Sequence, residues 1–143
     1  MRAAIDQARE ARRRNEVPIG AVVVVDGRIV GAGFNQPIAS ADPTAHAEIV
    51  AMREAARVLG NYRLTGATLY VTVEPCLMCV GAMVHARVAT LVYGVREPKA
   101  GAVESTQRAH EHPALNHRIT VVSGVLAAEC REVVQKFFEA RRR

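Results

Sequence analysis

The stretch ATLYVTVEPCLMCVGAMVHA, residues 67–86, joins the pattern of a strand to the pattern of a helix. Residues 67–73 alternate in polarity and are rich in β-branched side chains, which predicts a strand. Pro75 suits the start of a helix, and we expect that helix over residues 76–86. Cys76 and Cys79 stand three positions apart, so they lie about 60° apart around its axis. Both sulfurs can therefore reach one metal ion.

A second segment, Thr44-Ala45-His46-Ala47-Glu48, adds an imidazole and a carboxylate. Asp42 is a good N-cap and Pro43 suits a first turn, so we predict a helix over residues 42–59 that ends at Gly60-Asn61. Glu48 lies about 200° from His46 around that axis, which suits a neighbour of a metal at the helix end rather than a ligand.

The two segments together indicate a catalytic zinc site. His46, Cys76 and Cys79 provide three ligands for a tetrahedral zinc ion, and the fourth corner stays open. Zinc lowers the pKa of a bound water toward neutrality, and Glu48 is placed to take the proton. We therefore predict one Zn²⁺ per chain, with Glu48 as the catalytic proton carrier.

The other sequence patterns predict an α/β fold. Asp26-Gly27 is a strong hairpin turn, and Glu97–Leu115 lacks periodicity, which predicts a loop with at most a short helix. Further helices are expected over residues 3–15 and 127–142, and strands over 21–25, 28–34, 88–95 and 119–123. This order predicts a three-layer α/β/α arrangement, a mixed five-stranded sheet flanked by helices, in a single domain over residues 1–143.

Composition and charge bound the class of protein. Of 143 residues, 50% are hydrophobic and 23% charged, which is typical of a globular chain, and no apolar stretch approaches the roughly 20 residues of a membrane span. We expect a cytoplasmic protein with no membrane partner. Cys130 stands alone, which argues against a disulfide framework. The net charge is +5 with arginines near both ends; they fit either phosphate contacts or a solvated surface.

The motif His-x-Glu followed by Pro-Cys-x-x-Cys resembles that of the zinc-dependent nucleobase and nucleoside deaminases. Four further segments closely resemble the bacterial tRNA-specific adenosine deaminases: residues 17–22, 42–49, 61–64 and 116–118. The resemblance runs from about Ala3 to Arg142. It implies a cytidine deaminase-like fold, and hydrolytic deamination of adenosine to inosine at the wobble position of a tRNA anticodon.

The resemblance also implies partners and substrate contacts. The expected partners are the anticodon stem-loop of a tRNA and a second copy of the chain in a homodimer. The expected substrate-binding residues are Asn35, Val17, Pro18, Glu97, His112, Asn116, Phe138 and Arg142. Glu97-Pro98 departs from the family, which usually has Asp and a small residue there, and Phe34 replaces a family Trp.

Three alternatives stay open at this point. A zinc-dependent deaminase of a free base or nucleoside, of the cytosine, guanine or cytidine type, would explain the altered Glu97-Pro98 without RNA. A thiol oxidoreductase would use Cys76 and Cys79 for redox exchange but leaves His46 and Glu48 unexplained. An RNA-binding module with a structural zinc would need no turnover.

Overall fold

The protein folds as one mixed β-sheet with helices on both faces. The computed structural model describes residues 1–142. The helices are α1 (Arg2–Arg13), α2 (Pro37–Ser40), α3 (Ala47–Leu59), α4 (Leu77–His85) and α5 (Ala127–Arg141), and a short 3-10 helix spans Ala109–Glu111. The strands are β1 (Gly20–Val25), β2 (Arg28–Phe34), β3 (Thr68–Val73), β4 (Thr90–Val95) and β5 (Thr120–Val122). Their order is β2-β1-β3-β4-β5, with β1 antiparallel to β2 and β3, and with β3, β4 and β5 parallel.

The predicted three-layer α/β/α fold is confirmed. Helices α3 and α4 pack with buried strand residues such as Val23, Leu69 and Leu91 in the main core. On the other face α1 and α5 meet through a smaller cluster, in which Ile5 contacts the group around Cys130. The Asp26-Gly27 turn has positive φ at both residues, as a two-residue hairpin turn requires.

Close packing of α3 on β2 fixes where the first metal motif starts. A Cβ atom at Gly31 would lie 2.2 Å from the carbonyl oxygen of Ala51, and one at Gly33 would lie 2.7 Å from that of Ala47. Only glycine therefore lets the helix backbone come this near to the strand. The start of α3, with His46 directly before it, is held against the end of the sheet.

The predicted helix over residues 42–59 is wrong at its start. Helix α3 begins at Ala47, and His46 is its N-cap in place of Asp42. The Asp42 carboxylate instead accepts hydrogen bonds from the backbone N–H and the hydroxyl of Thr44, at 2.8 and 2.7 Å. That local turn competes with a helical first turn, as short acidic side chains commonly do. The other predicted elements agree with the structure to within two residues, but α2 was not predicted.

Candidate active site

The metal motifs occupy the N-caps of two helices. His46 precedes α3 with an extended backbone (φ −70°, ψ 155°), and Cys76 precedes α4 in the same way (φ −78°, ψ 174°). Neither side chain caps its own helix, so both are free to face outward from the helix ends. The N-terminal ends of α3 and α4 carry positive partial charge, which stabilises thiolates placed there.

Three potential ligand atoms converge between these helix ends. Nδ1 of His46 lies 3.5 Å from Sγ of Cys76 and 3.6 Å from Sγ of Cys79. Tetrahedral zinc with ordinary Zn–N and Zn–S bond lengths places such atoms about 3.6 Å apart. Within residues 1–142 this is the one group of three histidine, cysteine or acidic side chains whose ligand atoms lie within 4.8 Å of one another. The donor set fits zinc, as predicted.

The pKa values of the two cysteine thiols are shifted in opposite directions. A hydrogen bond from Cys79 is the main cause that lowers the pKa of Cys76 to about 4, and His46 adds to it. The same contact, together with burial, raises the pKa of Cys79. The contact with Cys76 also raises the pKa of His46. Zinc binding by this set therefore displaces the Cys79 proton.

Glu48 lies in the first turn of α3 beside the three ligands and is only 4% exposed. It does not belong to the converging ligand group, and its role as a neighbour of the metal stays a prediction. Burial raises the pKa of its carboxyl, while the charge of His46 opposes that shift. A carboxyl with a raised pKa beside the potential metal ligands is suited to accept and return a proton.

Asn35 directly follows β2. The residue is 8% exposed, and its side-chain amide forms no hydrogen bond with any of residues 1–142. The next residue, Gln36, donates its backbone N–H to the carbonyl oxygen of Ala45 at 3.0 Å, directly before His46. This bond holds Asn35 close to the segment that leads into His46, and the role of its amide in substrate binding stays a prediction.

Val17 and Pro18 lie in the segment between α1 and β1, with Pro18 buried and Val17 half-buried. The buried Glu16 carboxylate beside them accepts the backbone N–H groups of Ile38 and Ala39, at 3.3 and 2.8 Å. Glu16 thus ties the predicted base walls to the chain that follows Asn35. The sequence motifs did not identify Glu16, although its position before Val17-Pro18 was a usable signal.

Glu97 follows β4 on a turn that the buried carboxylate of Glu74 holds next to Cys76. Its backbone N–H donates to Oε1 of Glu74 at 3.1 Å. Glu74 was also missed, although an acidic residue that ends an apolar strand directly before a metal motif is unusual. Glu97 stays a predicted substrate contact, and it lies on the side of the site where Cys76 is located.

The remaining predicted contacts are exposed. Nδ1 of His112 accepts the N–H of Ala114, at 3.1 Å, so one ring nitrogen serves the loop itself. Asn116 lines a cavity of about 280 Å³ at the end of α4 with Arg87 and neighbouring residues. Phe138 is 41% exposed and stacks edge-on against the buried Phe137.

Arg142 is exposed at the C-terminal end of α5. The neighbouring Arg141 donates to the carbonyl oxygen of Asn15 at 2.9 Å. This contact places the end of α5 beside the segment that leads into Val17. Substrate roles for His112, Asn116, Phe138 and Arg142 stay predictions.

Comparison with known proteins decides the family. Residues 1–95 match the family model of the cytidine and deoxycytidylate deaminase zinc-binding region. The chain is 48% identical over 143 residues to the tRNA-specific adenosine deaminase of Haemophilus influenzae, with 99% of this chain and 83% of that protein covered. The chain belongs to the tRNA-specific adenosine deaminases. The family resemblance predicted from the motifs is confirmed.

Solved structures agree with the fold of this deaminase. One comes from a study of A-to-I editing by tRNA:A34 deaminases at the wobble position of transfer RNA; it superposes with a TM-score of 0.91 at 47% identity, covering 93% of this chain and 96% of that one. Guanine deaminase from Bacillus subtilis superposes with a TM-score of 0.65 at 34% identity, covering 99% and 90%. Among residues 1–142 of this deaminase, no helix has the length and apolar character needed to cross a membrane.

Proposed function

We propose that the chain converts adenosine to inosine at the wobble position of a tRNA anticodon. The observation that carries this proposal is the convergence of His46, Cys76 and Cys79 at zinc-ligand spacing with the buried Glu48 beside them. An RNA substrate is supported by the 48% identity of the chain to a tRNA-specific adenosine deaminase, which extends over nearly the whole chain. The proposed substrate also makes the cytoplasm the proposed location, since tRNA functions there.

Hydrolytic deamination replaces the amino group on C6 of adenine with oxygen from water and releases ammonia. His46, Cys76 and Cys79 would hold the zinc ion, which as a Lewis acid would make water a stronger nucleophile near neutral pH. Glu48 accepts one proton from the attacking water and donates it to N1 of adenine. Glu48 then carries the second water proton to the departing amino group, which leaves as ammonia.

The base is proposed to bind between Asn35 and the Val17-Pro18 segment. The side-chain amide of Asn35 has both a donor and an acceptor, which can pair with complementary groups on an adenine edge. Val17 and Pro18 provide apolar surface for the flat faces of the base. A flipped nucleotide in such a pocket leaves its phosphates outside, within reach of exposed cations such as Arg142.

A deaminase of a free base is the second candidate, because guanine deaminase from Bacillus subtilis is 34% identical to this chain. The oxidoreductase and the binding module are not favoured. Redox exchange gives no role to an imidazole nitrogen 3.5 and 3.6 Å from the two sulfurs, and a structural zinc gives no role to the buried Glu48.

A homodimer is proposed from an apolar surface where α3 meets α4. A cavity of about 250 Å³ opens there, and its lining is mostly apolar: Ile49, Met52, Arg53, Ala56, Tyr62, Ala82 and Ala86. Tyr62 is 66% exposed in the single chain, and Leu77 and Met78 are exposed directly after Cys76. Exposed apolar side chains of this kind are typical of an interface, and a second copy would cover them symmetrically.

The test compares substrates under identical conditions. Zinc-loaded protein is given an anticodon stem-loop with adenosine at the wobble position, and separately free adenosine, cytidine and guanine. We expect inosine in the RNA, and for each free compound a kcat/KM at least 100-fold lower than that for the stem-loop. Efficient turnover of a free base with no inosine in the RNA would favour the second candidate.

A further inference from the structure

Glu74 directly follows β3, between the strand and the Cys76 ligand, and the residue is only 4% exposed. It forms no ion pair with any of residues 1–142, so no cation offsets its charge. Such a buried charge is costly unless hydrogen bonds replace the lost water. The groups that surround the Glu74 carboxylate indicate its function.

Five donors from the loop after β4 surround this carboxylate. Oε2 accepts three successive backbone N–H groups, those of Val103, Glu104 and Ser105, at 3.1, 2.8 and 2.9 Å. Oε1 accepts the N–H of Glu97 at 3.1 Å and the hydroxyl of Ser105. The two oxygens therefore bind different parts of the loop. Oε2 accepts the backbone N–H groups of residues 103–105 at the far end of the loop, and Oε1 accepts the N–H of Glu97, where the turn begins.

That turn is packed directly onto the metal motif. Gly101 forms an antiparallel bridge with Cys76, and the N–H of Ala102 donates to the carbonyl oxygen of Pro75 at 2.8 Å. The N–H of Gly101 in turn donates to the carbonyl oxygen of Glu97 at 2.8 Å, which closes the turn over residues 97–101. A Cβ atom at position 101 would lie 2.3–2.6 Å from the carboxyl atoms of Glu74.

We infer that Glu74 is a positioning residue that sets the residue 97–101 turn against Cys76 and so determines how tightly the RNA substrate binds. The inference rests on the proposed function. The turn exposes Pro98 and Lys99 beside the site, and Lys99 forms no ion pair with any of residues 1–142. A turn that contacts substrate but transfers no proton affects KM, because it contributes equally to the ground state and the transition state.

Glu74→Gln tests this with little disturbance of the fold. The one remaining carbonyl oxygen of glutamine can still accept the N–H groups of residues 103–105, and its NH₂ group can donate to the Ser105 hydroxyl. It cannot accept the N–H of Glu97, which therefore loses its acceptor. We expect faster hydrogen exchange at the Glu97 amide, one zinc per chain, a kcat within threefold of wild type, and a KM for the stem-loop raised about tenfold or more.

Two further variants sharpen the test. Glu104→Gln is the matched control, because its carboxylate lies on the same loop but pairs with Tyr93 and Arg96, and its KM should stay unchanged. Gly101→Ala should raise KM as Glu74→Gln does, since its methyl group displaces the same carboxylate. In the double variant the two KM increases should not multiply, because both changes remove one contact.

The inference is overturned by faster exchange at Glu97 with an unchanged KM. It is also overturned by loss of zinc or of kcat with an unchanged KM, which a purely structural role would give by reducing the active fraction. No inosine from the wild-type chain would instead refute the proposed function. In that case hydrogen exchange at the Glu97 amide would be the only test of the positioning role. An exchange rate that is unchanged in Glu74→Gln would show that Glu74 does not hold the turn.

Discussion

Nδ1 of His46 lies 3.5 Å from Sγ of Cys76, although 30 positions separate the two residues in the chain. Each residue stands just before its own helix, so the packing of α3 and α4 on the sheet brings them together. The zinc site is therefore a product of the whole fold rather than of either motif alone.

Replacement of Glu48 by glutamine should abolish deamination without loss of the metal. Glutamine keeps the size of the side chain but cannot carry a proton, and general acid–base groups typically contribute about 10²–10⁴-fold to rate. Single-turnover inosine formation measures the effect, and metal analysis checks the zinc content. Glu54→Gln is the control on the exposed side of α3 and should keep full activity. A Glu48→Gln rate within tenfold of wild type would contradict this role.

Removal of zinc should lower both activity and thermal stability. A ligand that binds only the folded state stabilises it by about 4 kcal/mol at a thousandfold excess over its dissociation constant. Calorimetry before and after chelation measures the shift in Tm. Cys79→Ser should resemble the chelated protein, whereas Cys130→Ala, which changes a buried thiol outside the ligand group, should still bind one zinc. Equal Tm values with and without zinc would argue against this site.

Acid should destabilise the protein through Glu74. Burial raises the pKa of this carboxyl, but hydrogen bonds from Ser105 and from the loop amides outweigh it and lower the pKa to about 2. Because the folded pKa lies below the unfolded value, the stabilisation is complete above about pH 4.5 and is lost as the pH falls toward 2.

The size of this contribution follows from the shift, from 4.5 to about 2, and amounts to about 3 kcal/mol. Chemical unfolding of wild type and Glu74→Gln between pH 2 and 7 measures it. The difference in free energy of unfolding between the two proteins should shrink below pH 4.5. A difference that stays constant over this range would mean that the Glu74 carboxyl does not titrate as stated.

Much of the site could be predicted because its chemically active residues lie in two short motifs. His46, Cys76 and Cys79 are residue types that bind zinc, and their spacing is local to two helix starts. The start of α3 could not be predicted, because Asp42 forms a local turn with Thr44 in place of an N-cap. The sequence gives no periodic signal for α2, since four residues make a single turn.

Glu16 and Glu74 escaped prediction for a different reason. Each is a buried carboxylate whose partners are mainly backbone N–H groups 22 to 31 positions away in the chain. Backbone donors exist at almost every residue, so no pattern of side chains identifies them. Only the three-dimensional arrangement shows which amides a buried carboxylate holds.

The proposed dimer surface should be sensitive to a charge at Tyr62. In a symmetric interface Tyr62→Glu would bring two like charges together in an apolar environment, which favours separate chains. Analytical ultracentrifugation should find wild type as a dimer and the variant as a monomer. Ile29→Glu is the control, since Ile29 is 55% exposed on β2 and outside that surface. A monomeric wild-type protein at micromolar concentration would contradict the proposal.

The most direct test of wobble editing maps inosine within one RNA. Zinc-loaded protein is incubated with an anticodon stem-loop that has adenosine at the wobble position and at one other loop position, and the product is sequenced. Wobble editing predicts inosine at the wobble position, none at the other adenosine, and none with Glu48→Gln. Absence of inosine from a folded protein with one zinc per chain would contradict it.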